Sequence, residues 1–258
     1  MRRPAGLAVL VVSGVLSFSL AAPTAARAQL VGAATLESEY RLRGVGLTNG
    51  EPDIRIGLSY DHSSGAYAGG SVIVGDTARD GVQVLGYIEY AGYAKQSPDG
   101  LGWDVGASNS NITLNLPAQL TTRSAENIVS TLVYTQKYHA DYSEVFGGIS
   151  MNDVSAHMYF SPDYLGQSLK TLYLDVTATI RPRDRLRLYA HVGALTPLGG
   201  SAGPDSQREH FDAATGAAWE FRHGEVQLDL IAATPDLEYP PGFRQKPSAL
   251  VLKVTGFF

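Results

Sequence analysis

Apolar and polar residues alternate one for one along most of this chain. In residues 172–180 every second residue is apolar, and the residues between them include Tyr173, Asp175 and Thr177. A period of two places all apolar side chains on one face of a β-strand. Twelve such runs occur, at 33–44, 54–61, 66–75, 82–94, 101–109, 142–151, 154–161, 172–180, 186–194, 211–221, 226–232 and 250–258. The pattern predicts an all-β chain, although the runs at 66–75 and 82–94 leave open which face is apolar.

Short connections alternate with mostly longer ones between these runs. The short ones are 62–65, 96–100, 152–153, 181–184 and 222–224, and the others are 45–51, 76–81, 110–141, 162–168, 197–210 and 235–247. Outer-membrane barrels have short periplasmic turns and longer external loops. A sheet in lipid must also close on itself, because unpaired backbone groups are costly there. We therefore predict a transmembrane antiparallel up-and-down β-barrel of about twelve strands.

The connection 110–141 is the longest in the chain. We expect a loop there, or a short surface helix near residues 125–137, where Ile128 and Leu132 have helical spacing. If instead the alternating run 112–116 pairs with 127–137, the strand count becomes fourteen. Long loops often carry function, so this segment could fold inward and constrict a pore, or it could remain an exposed surface loop.

The first 28 residues have the features of a cleavable signal peptide. Two arginines precede an apolar stretch at 7–22, and small residues stand at the cleavage positions before Gln29. The alternative is a retained anchor helix. We expect residues 29–258 to form the exported barrel, with a net charge of −8 because the signal carries three of the 20 basic residues and no acid. An acidic chain argues against a nucleic-acid partner, and the absence of cysteine excludes disulfides and a lipid-modified N-terminus.

Large aromatic residues fall at the predicted periplasmic ends of several strands. They are Tyr67, Trp103, Trp219, Phe221 and Phe258. Aromatic girdles of this kind lie at the interfaces of transmembrane barrels, although aromatic residues also favour strands in general. We interpret the girdle as support for insertion into the outer membrane, with lipid as a partner.

Charged residues fall on the polar face of the runs, which would face the barrel interior. The predicted acids are Glu37, Glu39, Glu89, Asp104, Glu144, Asp175, Asp212, Glu220 and Asp229, and the predicted bases are Arg41, Arg43, Arg55, Arg187 and Lys253. One interpretation is a pore lining that tunes the passage of small hydrophilic solutes. The other is a plugged structural or surface-interaction barrel, since small barrels fill with side chains and open pores require more strands.

Enzymatic motifs are scarce. The six histidines are scattered, and the sequence contains no histidine pair with metal-ligand spacing, no glycine-rich phosphate loop and no nucleophile elbow. A barrel lipase would need Ser, His and an acid near one rim, and His62-Ser63-Ser64 is the only adjacent Ser–His group. We expect no enzyme, no cofactor and no metal.

Several motifs resemble the TorF-type porins, small Proteobacterial outer-membrane proteins. They stand in the same order along most of the chain, as YRLRGV at 40–45, GAYAG at 65–69, YAGY at 90–93, DYSEV at 141–145, YFSPDYLG at 159–166 and AHVG at 190–193. The sequence departs from the family at 109–140 and in its two final phenylalanines. The resemblance implies recognition of the last strand by periplasmic chaperones and the barrel-assembly machinery. The assembly signal in this strand would comprise Leu252, Val254, Gly256 and Phe258, which share the lipid face.

Overall fold

Twelve strands form a closed barrel in the computed structural model, which describes residues 29–48, 50–77, 81–123, 129–200, 208–234 and 246–258. Two further short strands, β2 and β3, form a separate hairpin. In chain order the strands are β1 (Gln29–Glu37), β2 (Arg41–Leu42), β3 (Val45–Gly46), β4 (Asp53–Asp61), β5 (Ala66–Thr77), β6 (Gly81–Gln96), β7 (Gly102–Arg123), β8 (Val129–Met151), β9 (Val154–Ser161), β10 (Leu169–Arg183), β11 (Leu186–Gly200), β12 (His210–Glu220), β13 (Gly224–Ala233) and β14 (Ser248–Phe257). The predicted signal peptide lies outside the described residues.

Each barrel strand runs antiparallel to its neighbours, and the barrel closes where β14 pairs with β1. In that seam Glu37 lies opposite Lys253 and Ala33 lies opposite Phe257. The backbone of Gly32 also exchanges hydrogen bonds of 2.9 and 3.0 Å with Phe258. The predicted fold class, an antiparallel barrel of twelve strands, is confirmed. In the described part of the chain, no helix is long and apolar enough to cross a membrane.

The two faces of the strands differ as the period of two predicts. Outward side chains such as Leu58, Val145 and Leu230 are each more than half exposed, and they form an apolar belt suited to lipid. Inward side chains such as Glu37, Asp175 and Asp229 are fully buried. The interior of the barrel is therefore polar and its outside apolar.

The segment 110–141 is not a loop, and the expectation of a separate loop or helix there is wrong. Its described residues extend β7 and β8 into one long antiparallel pair, in which Leu116 lies opposite Gln136 and Arg123 opposite Val129. The run 112–116 therefore pairs with the opposite segment, but it lengthens two existing strands and the barrel keeps twelve. β-Branched and aromatic residues favour an extended backbone at 129–135. The segment continues the strands, so the predicted inward-folding loop is also not found here.

Candidate functional site: the barrel interior

All but one of the residues predicted to line the pore lie inside the barrel. Those that are buried are Glu37, Glu39, Arg41, Arg43, Arg55, Asp104, Glu144, Asp175, Arg187, Asp212, Asp229 and Lys253, and Glu220 is partly buried. Because most of these charges are paired with one another, they form a filled polar interior over much of the barrel. Their function in selecting solutes remains a prediction.

Glu89 is the exception, because its side chain lies on the outer face. It shares that face with the exposed Tyr87 and Tyr93. The cause is a register shift, since Val74 lies opposite Val84 whereas Ile73 lies opposite Gly86. The extra residue in β6 is a β-bulge, and it reverses which residues point inward along the rest of the strand. The prediction for Glu89 was therefore wrong.

A hairpin made by β2 and β3 folds back into the barrel between β1 and β4. Its side chains Tyr40, Leu42 and Leu47 are almost entirely buried against the barrel wall. The turn residues Arg43 and Gly44 have φ angles of 50° and 77°, as a two-residue type I′ turn requires. Glycine adopts this conformation freely, but for arginine it is strained. The hairpin is thus an internal element that partly fills the lumen.

Arg43 anchors the tip of the hairpin to the wall. One guanidinium nitrogen donates to both carboxylate oxygens of Glu144 at 2.8 Å. The guanidinium carbon also lies 4.0 Å from the ring centre of Tyr173 and 5.4 Å from those of Tyr159 and Tyr164. A cation over aromatic faces is attracted by the ring quadrupole. Three tyrosines and one carboxylate therefore hold this single side chain.

Two further contacts involve the same hairpin. The imidazole Nε2 of His210 lies 2.9 Å from the carbonyl oxygen of Arg43 and can donate to it. Burial raises the pKa of the Tyr164 phenol, which lies in the connection between β9 and β10, although the Arg43 charge partly offsets this effect. Burial therefore favours the neutral phenol of Tyr164 beside Arg43.

Arg41 stabilises the hairpin from within. Its guanidinium contacts the carboxylate of Glu39 at 2.8 Å and donates to the carbonyl oxygens of Gly44 at 2.7 Å and Lys246 at 3.2 Å. These bonds connect the two sides of the hairpin to each other and to the segment before β14. The hairpin is therefore ordered by its own ion pair as well as by the wall.

A second ionic group crosses the seam of the barrel. Lys253 on β14 contacts Asp229 on β13 at 2.6 Å and Glu37 on β1 at 3.9 Å. Glu37 in turn contacts Arg55 on β4 at 3.0 Å, and the amide of Gln227 donates to both oxygens of Asp229 at 2.9 Å. The charges of four neighbouring strands are thus connected where the barrel closes.

Besides His210, two further histidines inside the barrel were not identified from the sequence. His157 lies 3.3 Å from Asp104 and 3.8 Å from Asp175, and His191 lies 2.9 Å from Asp212. Both histidines lie at the inward positions of their strands, so strand parity alone could have placed them. Among the described residues, no group of three or more His, Cys, Asp or Glu side chains could hold a metal ion.

Arg187 organises the interior at the end of the barrel that carries the short turns. It contacts Glu225 at 2.7 Å and Glu220 at 3.3 Å, and it donates to the side-chain oxygen of Gln227 at 3.2 Å. Arg187 is only 1% exposed. This side of the interior is filled.

The inner wall formed by β4 and β5 is different. The inward residues in the middle of these two strands, Gly57, Ser59, Gly69 and Ser71, are small and only partly buried, whereas the inward Arg55, Tyr67 and Ile73 nearer the strand ends are large and buried. Gly57 lies opposite Ser71, and Ser59 lies opposite Gly69. The Tyr90 side chain on β6 covers Gly69, because a Cβ atom at that position would clash with it. The small residues of this stretch contrast with the arginines and tyrosines that fill other parts of the interior.

Comparison with known proteins supports the barrel and assigns a family. A family profile described as "Bacterial protein of unknown function (Gcw_chp)" matches residues 21–228. The translocator domain of the autotransporter NalP from Neisseria meningitidis has a similar fold, with a TM-score of 0.51, 11% identity, and coverage of 90% of this chain and 88% of that one. The Pseudomonas putida toluene transporter TodX has a TM-score of 0.48, 10% identity, and coverage of 92% and 90%. No curated protein matches the sequence.

Proposed function

The chain belongs to the Gcw_chp family of bacterial proteins of unknown function, and from its own geometry we propose that it is a narrow outer-membrane channel. It would carry small hydrophilic solutes by passive diffusion, with the β2–β3 hairpin as its constriction. The observation that carries the proposal is the inward-folded hairpin beside a wall of small polar residues. The motifs shared with TorF-type porins support the same function.

The strain at Arg43 is a further reason to regard the hairpin as a movable part. A non-glycine residue at a φ of 50° costs of order 1–3 kcal/mol, and such residues cluster at switch regions. The hairpin is held by side-chain contacts, which are those of Arg43 at its tip, those of Arg41, and the packing of Tyr40, Leu42 and Leu47, and not by the continuous backbone pairing of the wall. Release of Arg43 from Glu144 would free the tip of the hairpin to move within the lumen.

Delivery to the membrane follows from the same proposal. We infer that residues 1–28 are removed on export, and that chaperones and the barrel-assembly machinery recognise the final strand. The lipid face of that strand supports this inference, because Leu252, Val254 and Phe258 are exposed on it. Gly256 also lies on that face.

A closed structural barrel is the second candidate function. It is favoured by the burial of the ionic groups around Arg43, Arg187 and Lys253, which leaves little space on that side of the lumen. In that case the external segments would bind partners and the interior would serve only stability.

Channel recordings of a hairpin variant separate the two functions. We expect the double variant Arg43→Ala, Glu144→Ala to increase the open fraction about tenfold or more in planar bilayers, because the loss of ~1.4 kcal/mol shifts a two-state ratio tenfold. Removing both charges avoids leaving either one buried alone. The matched control is Arg181→Ala, which removes an exposed ion pair with Glu220 and should leave the open fraction unchanged. Heat-modifiable gel mobility shows whether the wild type and the double variant are folded. If both are folded and neither gives conductance steps in the bilayer, the barrel is closed.

The expectation that the chain is not an enzyme remains a prediction. The hydroxyl of Ser64 and the Nδ1 of His62 lie 2.9 Å apart in an exposed turn, and the same Nδ1 accepts from the backbone N–H of Ser64 at 3.2 Å. These are the bonds of a tight polar turn. We expect the purified protein to hydrolyse p-nitrophenyl esters no faster than the background rate. Hydrolysis above background that is abolished by His62→Ala would contradict this expectation.

A further inference from the structure

The outer face of the barrel carries one polar patch within its apolar belt. It consists of Glu89 on β6, Asn109 on β7 and Ser143 on β8, which lie side by side because Glu89 is opposite Asn109 and Asn109 is opposite Ser143. The outward pair Asn111 and Asp141 follows the patch on β7 and β8, toward the end with the longer connections. Elsewhere among the described residues, the central outward positions of the strands are apolar, small or aromatic, except for Thr196 and Thr215. The hydroxyl of Thr215 donates to the carbonyl oxygen of Tyr189 at 3.0 Å.

Glu89 lies at the depth of the hydrocarbon. On its own strand the exposed Val84 lies on one side of it and the exposed Tyr93 on the other. It is seven residues from Gln96, the end of β6. At ~3.3 Å per residue and a tilt of about 45°, this corresponds to roughly 16 Å above the rim. An apolar band of about 25 Å therefore encloses it.

The polar groups of the patch are incompletely paired. The hydroxyl of Ser143 donates to the amide oxygen of Asn109 at 2.9 Å, which directs the Asn109 NH₂ group away from that bond. Within the described residues, neither this NH₂ group nor the carboxylate of Glu89 has a hydrogen-bond or ion-pair partner. Lipid tails offer no partner either, so both groups are costly unless protein covers them.

The shape of this face is also distinctive. A groove of about 540 Å³ lies between the strands and contains the small Ala91 and Ala107. Val145 and Phe160 form its bulky margin. On the other side of Glu89, β5 presents the small Ala68 and Gly70, which lie opposite Ala91 and Glu89. Small residues let two membrane proteins approach closely.

We propose that this face is the contact between two copies of the chain, related by a two-fold axis that runs along the membrane normal over β7. Such an axis places β6 of one copy against β8 of the other, and β5 against β9. The free amide of Asn109 in one copy then donates to Glu89 of the other. Phe160 then packs over the small residues of β5. Both the hydrogen bonding and the shape are self-complementary, as an isologous interface requires. The inference does not depend on whether the lumen conducts.

Disulfide trapping tests the interface directly, because the chain has no cysteine. In outer membranes treated with a mild oxidant, Ala107→Cys should form at least tenfold more disulfide-linked dimer than Ala217→Cys. Ala217 is an exposed alanine on β12, five strands away around the barrel. The trapped product should have twice the mass of the chain. Equal, low yields for both variants would overturn the proposal, as would trapping of Ala107→Cys on a different protein.

A second variant separates a protein contact from a lipid contact. Glu89→Leu removes the acceptor for Asn109, so we expect the dimer fraction in mild detergent, measured by light scattering, to fall about tenfold. If Glu89 faces lipid in the native protein, the wild type should already be monomeric and the variant should resist heat better. A monomeric wild type with a more heat-resistant variant would therefore overturn the interface.

Discussion

Replacing Lys253 by methionine is expected to prevent stable closure of the barrel. Lys253 contacts Asp229 at 2.6 Å and Glu37 at 3.9 Å across the seam, and all three side chains are buried. Removing one partner of a buried ion pair leaves an uncompensated charge, at a cost of about 3–5 kcal/mol. We expect a loss of this size in urea unfolding of the refolded protein, together with reduced heat-modifiable gel mobility.

The seam also offers a matched control. The hydroxyl oxygens of Thr255 and Thr35 lie 3.0 Å apart on the same two strands, β14 and β1. Thr255→Val removes a neutral hydrogen bond, so we expect a loss of only about 1 kcal/mol. The double variant Lys253→Met, Asp229→Leu should recover most of the stability, because it removes both charges of the closest pair. A single Lys253→Met variant as stable as Thr255→Val would show that the cluster is well solvated.

Deleting Phe258 is expected to lower the amount of folded protein in the outer membrane several-fold. The deletion removes two backbone hydrogen bonds to Gly32, at 2.9 and 3.0 Å, and one side chain from the lipid face of the last strand. Effects of about 1–2 kcal/mol change cellular abundance several-fold, and the loss of the residue that we propose as part of the assembly signal should add to this effect. The conductance of each molecule that does insert should equal that of the wild type.

Phe221→Ala is the control for this deletion. Phe221 is another exposed aromatic at the rim with the short turns, at the end of β12, but it lies far from the C-terminus in sequence. If Phe258 acts through assembly, Phe221→Ala should leave membrane levels nearly normal. Equal losses in both variants would assign the effect to the aromatic girdle, and normal levels without Phe258 would exclude an assembly signal there.

Gly32 shows how closely the seam constrains its residues. A Cβ atom on Gly32 would clash with the Phe258 ring. We therefore expect Gly32→Ala to displace that ring and to reproduce part of the Phe258 deletion. Cross-strand pairing of an aromatic ring with a glycine is a known stabilising arrangement in sheets. Membrane levels of Gly32→Ala equal to those of the wild type would show that the ring position is unimportant.

The sequence by itself determined the two faces of most strands, and it predicted a barrel of about twelve strands with fourteen as the alternative. Strand parity is a local property, since each residue points opposite to its neighbour, and this placed Arg187, Asp229 and Lys253 inside correctly. The outward Leu252 and Val254 followed from the same rule. Parity was wrong for Glu89 because a single bulged residue in β6 reverses it, and a bulge is visible only once the neighbouring strand sets the register.

Only the tertiary structure decided how the interior is filled. Tyr40 and Arg43 belonged to the predicted strand run at 33–44, but β1 ends at Glu37, and the chain enters the lumen and turns at Arg43 and Gly44. The contacts that stabilise this turn come from Glu144, Tyr173 and His210, which lie 101 or more residues away in sequence. Contacts over such separations exist only after the barrel has closed, so no local pattern could reveal them.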